Sequence, residues 1–199
     1  MTGLVCWRGR RNTLEHRVWT RWMESADALA RRFCSQVEED DPFAYNETAS
    51  VSVLAAAAAC AGYVGLAEFS TAKAIGENRA HRWGRSDFWM QADQRSWAFE
   101  FKQWSPVTAP GKRLISHMAA AERCAKTIVR ADADGAIAGL IVPLYWIERG
   151  ARHSREEVLE RARANLREFA CECDFAWTVG GANGAPEAWL LFKIVGRWW

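Results

Sequence analysis

The chain has 199 residues, half of them hydrophobic and a quarter charged, enough for one sizeable core and short for two. Its formal net charge is only +2, so nucleic-acid binding cannot rest on bulk charge and any electropositive surface must be local. The cysteines Cys6, Cys34, Cys60, Cys124, Cys171 and Cys173 include no CxxC pair at zinc spacing and read as reduced core residues.

Arg8, Arg10 and Arg11 lead into an amphipathic stretch, which is not a signal-peptide pattern, and the apolar run Val51 to Ala61 is too short to span a bilayer. The expectation is a cytoplasmic protein with no membrane partner. Residues Thr13 to Cys34 predict a helix capped by Asn12 or Thr13, with Val18, Trp19, Trp22, Ala26, Leu29, Ala30 and Phe33 on its apolar stripe. That stripe suits a packing layer or a homodimer surface. The acidic run Glu38 to Asp41 and Pro42 break the chain before a second helix, about Tyr45 to Ala61, which is rich in alanine and ends at Gly62. Glu47, Val51, Leu54 and Ala58 share one face of it, so Glu47 either starts the stripe that meets a sheet or only favours the helix dipole. Tyr63 to Phe69 predicts a strand with Glu68 near its end. Ser70 to Trp83 reads as a polar loop whose Lys73, Arg79, His81 and Arg82 lead into Arg85, forming the best local basic cluster.

Gly84 to Trp104 predicts a β-hairpin, since both arms are aromatic-rich and lie between Gly84 and Pro106. In the second arm Trp97, Phe99 and Phe101 alternate with Ala98, Glu100 and Lys102, which puts rings on one face and ionisable groups on the other. An even number of residues separates Asp87 from Glu100, so an even-length turn sets the two opposite each other on the polar face. Two carboxylates and an ammonium then converge, a set suited to a divalent cation and a water near a phosphate.

Beyond a Pro-rich turn, Lys112 and Arg113 precede a helix from about Leu114 to Arg130, and Gly135 to Trp146 reads as a buried strand limited by Pro143. Strand, helix and strand in that order imply a right-handed crossover with parallel pairing. Ser154 to Glu157 is a capping box opening a last helix, and Phe175 to Val179 with Ala188 to Val195 predicts a closing hairpin that extends or covers the sheet. Trp198 and Trp199 are expected to dock on the domain or at a dimer interface.

Asp87 followed by Glu100-Phe101-Lys102 resembles the signature of the PD-(D/E)xK nuclease superfamily, with Ser86 standing where that motif has Pro. The resemblance implies an α/β restriction-endonuclease-like core of helix, three strands, helix and strand over residues 45–146. A mixed central sheet flanked by helices would carry an N-terminal helical extension (1–40) and a C-terminal helix and hairpin (150–199), all in a single domain. It implies Mg2+, replaceable by Mn2+, held by Asp87, Glu100 and the Phe101 carbonyl, with Lys102 positioning the attacking water. Glu47 is the matching auxiliary acid and Glu68 its rival. Nucleic acid, DNA above RNA, would be the substrate, with Arg79, Arg82, Arg85, Lys112 and Arg113 on its backbone. The alternative is an inactive nuclease-fold module that binds nucleic acid or a protein. No phosphate-cradling glycine loop, nucleophile elbow or paired-histidine motif supports another enzyme class.

Overall fold

The computed structural model describes residues 3–37, 40–75, 80–104, 112–144, 154–180 and 187–198. Among them are four helices and one open, mixed seven-strand sheet. In chain order the elements are β1 (Gly3–Trp7), α1 (Leu14–Gln36), α2 (Glu47–Cys60), β2 (Val64–Ile75), β3 (Ala80–Ala92) and β4 (Arg95–Gln103). They continue with α3 (Lys112–Ala125), β5 (Gly135–Pro143), α4 (Arg155–Ala170), β6 (Phe175–Gly180) and β7 (Glu187–Arg197). The sheet order is β1-β6-β7-β5-β4-β3-β2, with β4 and β5 parallel and every other neighbouring pair antiparallel. The parallel pair is the one joined through a helix, α3.

Alternation along the strands splits the core in two. Phe88, Met90, Trp97, Phe99 and Phe101 face α1 and α2, meeting Trp19, Trp22, Val51 and Leu54. Ala98, Ala138, Leu140 and Leu191 face α3 and α4, meeting Met118, Ala121, Leu166 and Phe169. Helices therefore cover both faces. Thr13 caps α1 through His16 N, Asn46 caps α2 through Ala49 N, and Ser154 with Glu157 completes the capping box of α4. Gly62, at φ +84°, takes the left-handed position after α2 that glycine tolerates best. No helix of the described residues is long and apolar enough to cross a membrane.

The structure corrects several expectations. Ser70 to Ile75 and Ala80 to Trp83 are strand and not loop: β2 runs on to Ile75 and β3 begins at Ala80, paired from Phe69↔Ser86 to Ile75↔Ala80. This two-stranded ribbon lies beyond the aromatic core, so its strands lack the apolar alternation that marks the others. The helix expected to reach Arg130 stops at Ala125, where Thr127 Oγ1 takes the Cys124 carbonyl and Ile128 makes a bridge to Lys73. The strand expected to reach Trp146 ends at Pro143, and Tyr145, Trp146 and Trp199 lie outside the described residues. Residues before the first helix add an edge strand, β1, that the helical-extension reading did not contain. Trp198 does dock, its N–H donating to Asp134 O at 2.9 Å and its ring packing on the α3/α4 side of the core. All six cysteines are free, but only Cys173 is buried, while Cys60 and Cys171 are exposed.

Candidate active site at the splay of β3 from β4

The β3–β4 turn is Asp93-Gln94, both at positive φ (48° and 65°), which is the two-residue geometry that matches strand twist. The turn sets the register Ala92↔Arg95 through Phe88↔Phe99, and there the pairing ends. One step further lie Asp87 and Glu100. At this step the neighbouring strand is also irregular, since Glu68 in β2 has φ +54° and falls between the pairs Ala67↔Phe88 and Phe69↔Ser86. β3 and its ribbon therefore leave the sheet at Asp87.

A departing strand abandons backbone donors that must find other partners. Two N–H groups of β4, two residues apart, find carboxylates. Phe101 N–H donates to Asp87 Oδ2 at 2.6 Å, and Gln103 N–H donates to Glu47 Oε2 at 3.1 Å. Glu47 can reach because it is the first residue of α2, whose start is tied to β4 by Ser50 Oγ to Gln103 Oε1 (2.8 Å) and Gln103 Nε2 to Phe43 O (2.8 Å). Lys102 Nζ donates to Glu47 Oε1 at 3.0 Å and to the carbonyl of Phe101 at 2.5 Å. The structure thus brings Glu47, Asp87, Glu100 and Lys102 together.

Electrostatics reflect that crowding. Burial, then the charge of Glu100, push the Asp87 carboxyl up from 3.8 to about 6, against the pull of the Phe101 N–H and of Lys102. Burial alone would lower the Lys102 pKa, but the hydrogen bond and charge of Glu47, then Asp87 and Cys124, raise it overall. Lys102 is a fixed cation at neutral pH and not a proton acceptor.

Glu100 is 4% exposed. Its Oε1 accepts from Ser86 Oγ at 2.8 Å and from the ammonium of Lys73, two residues the sequence reading left outside the site. Ser86 occupies the place of the motif's Pro. No local pattern marks Lys73: its strand lacks apolar alternation there, and the burial of Thr71 two residues before it, 1% exposed, follows from the tertiary fold. Asp87 Oδ1 and Glu100 Oε2 have no hydrogen-bond partner among the described residues.

The remaining expected residues scatter. Glu68 is exposed and pairs with Arg85 at 3.0 Å, and it makes no hydrogen bond to the carboxylate cluster among the described residues. Arg113 is exposed near the start of α3. Arg79 lies outside the described residues, as do the side chains of Arg82, which sits opposite Lys73 in the ribbon, and of Lys112. His117, a lesser candidate on α3, stacks on Trp104 with ring centres 6.2 Å apart.

Among the described residues no group of three or more His, Cys, Asp or Glu side chains stands ready to hold a metal. A magnesium ion needs no such cage, because it keeps several waters and takes one or two carboxylates. The unpartnered Asp87 Oδ1 and Glu100 Oε2, with repulsion between the two groups that a cation would relieve, fit that requirement. Comparison with known protein families, curated proteins and solved structures finds no match to this chain.

Proposed function

We propose that the protein is a Mg2+-dependent nuclease of the PD-(D/E)xK type, with a restriction-endonuclease-like core, acting on the phosphodiester backbone of nucleic acid, DNA in the first instance. The observation that carries this is the meeting of Asp87, Glu100 and Lys102 where β3 leaves β4, with Asp87 pushed up by burial and then by the neighbouring carboxylate. The order α2-β2-β3-β4-α3-β5, with β4 and β5 parallel, repeats the family's helix, three strands, helix, strand and so supports the same reading.

Asp87 and Glu100 would hold the ion through their unpartnered oxygens. Bound there, Mg2+ supplies stabilisation of phosphoryl charge and a lower pKa for water. Lys102 stays protonated, so its part is to orient water and phosphate as a cation. Glu47 aims that ammonium and caps Gln103, which makes it a positioning residue. The Phe101 carbonyl already accepts from Lys102 and would have to share that bond to act as a ligand.

One observation favours the other reading, a binding module without catalysis: Glu100 already has a counter-ion in Lys73. Cleavage assays on single-stranded, double-stranded and branched DNA and RNA, with Mg2+ or Mn2+ and with Ca2+ or EDTA as controls, separate the two. Cleavage with Mg2+ or Mn2+ alone is expected. Lys102→Ala should lower turnover about a hundredfold or more while leaving Mn2+ binding largely intact, and Asp87→Ala should lose both. Nucleic-acid binding with no cleavage and no divalent site would leave the binding module as the answer.

A further inference from the structure

We propose that Lys73 is a resident cation of the site, one that holds Glu100 in the metal-free protein and yields that carboxylate when a divalent ion arrives. The inference rests on the metal-site reading above and adds a residue and a linkage to it.

A carboxylate as buried as Glu100 is costly without a partner. Lys102 is on the same face of β4 but is committed to Glu47 and the Phe101 carbonyl. The charge has to come from elsewhere, and the β2–β3 ribbon brings it. Two contacts tie the ribbon to the segment that follows α3: the bridge Lys73↔Ile128 and the hydrogen bond of Thr71 Oγ1 to Asp132, whose carbonyl also takes Trp89 Nε1–H at 3.0 Å. Gly84 then opens the path for the side chain. A Cβ there would stand 3.2 Å from Lys73 Cγ and 3.3 Å from Cδ, so the lysine stem occupies the space of the missing side chain. The ammonium ends on Glu100 Oε1, beside the Ser86 hydroxyl. Ribbon, glycine and hydroxyl are all arranged around one ion pair.

An ammonium on Oε1 and a divalent ion on Oε2 of the same carboxylate oppose each other by charge repulsion, and each weakens the hold of one negative charge on the other. Ser86 keeps a hold on Glu100 when the lysine leaves. Lys73 is long and 14% exposed, so its head can swing out without moving the strand, and a released ammonium beside the site would meet a phosphate.

The test uses the full chain with Mn2+ as probe. Isothermal titration of Lys73→Met should show Mn2+ bound at least about fivefold more tightly than by wild type, a typical size for coupling between ligands. Lys73→Met/Glu100→Gln should lose that gain. Independently, acetylation of wild-type protein read by mass spectrometry should be slow at Lys73 and speed up several-fold on adding Mn2+. This second readout decides the matter should the variant fold poorly. Mn2+ binding that depends on Glu100 but is unchanged or weaker in Lys73→Met, with Lys73 acetylation indifferent to Mn2+, overturns the inference and leaves the metal site standing. No Mn2+ binding by either protein overturns both.

Discussion

At the residue scale, the site stores unfavourable energy. The Asp87 carboxyl is raised from 3.8 to about 6, so the folded chain holds its proton more tightly than the unfolded chain does. Between those pH values the native state binds more protons, and this contribution to stability falls as pH rises through the window. Asp41 behaves in the same way: burial raises it to about 6, and its Oδ2 is buried without a hydrogen-bond partner among the described residues. Asp87→Asn should therefore make the metal-free protein more stable at pH 7.5 by about 1–2 kcal/mol, allowing for partial exposure of the group, and should flatten the fall between pH 4 and 6. Urea unfolding in EDTA at pH 5 and pH 7.5 measures both. A destabilised Asp87→Asn at pH 7.5 would mean that the bond to the Phe101 amide outweighs the strain. In wild type, Mn2+ affinity should fall as pH drops below about 6, since protonated Asp87 is a poor ligand.

At the element scale, β4 is held from both sides, and its burial fixes where Glu100 and Lys102 stand. Phe101 pairs with Gly139 of β5, and its ring fills the place a side chain would take there: a Cβ at Gly139 would lie 2.3 Å from Phe101 Cε1 and 2.4 Å from Cδ1. The ring cannot retreat, being fully buried and stacked on Phe99 with centres 5.8 Å apart. Gly139→Ala should cost about 1–3 kcal/mol in chemical denaturation as an overpacked core position. The same shift would disturb β4 between Glu100 and Lys102, so the proposed cleavage activity should fall further than stability explains. A variant of wild-type stability would show that β5 yields in place of β4.

At the scale of the whole molecule, α1 is a structural layer. Trp19 is fully buried and meets the rings of Trp7, Trp97, Phe99, Phe175 and Phe192, so one residue of α1 ties together β1, β4, β6 and β7. Trp22 stacks on Phe88 and donates from its indole to Leu54 O at 2.8 Å, tying α1 to α2 and β3. The Trp19 indole N–H has no such partner among the described residues. Trp19→Ala should cost about 3–5 kcal/mol as a large core deletion. Trp22→Phe should cost roughly 1 kcal/mol more than Trp19→Phe, because only Trp22 loses a buried hydrogen bond. Equal costs for the two phenylalanine variants, measured by thermal or urea unfolding, would count against that account.

The sequence by itself determined what depends on local pattern: a first helix capped at Asn12 or Thr13, a second beginning about Tyr45, the capping box at Ser154, the aromatic face of β4, and the even turn that brings Asp87 beside Glu100. Period and capping chemistry act within a few residues, so they are legible without the fold. Glu47 was legible only as a choice between a helix-dipole role and a place at the sheet. Its bonds to Lys102 and Gln103 N–H depend on where α2 docks. Lys73 and Ser86 were decided entirely by tertiary structure. The ribbon carrying them has little apolar alternation to mark it, and it meets Glu100 only because β3 leaves the sheet and the ribbon docks on the segment after α3. A counter-ion 27 positions away in the chain is chosen by that bend and by the space at Gly84, which no local spacing encodes.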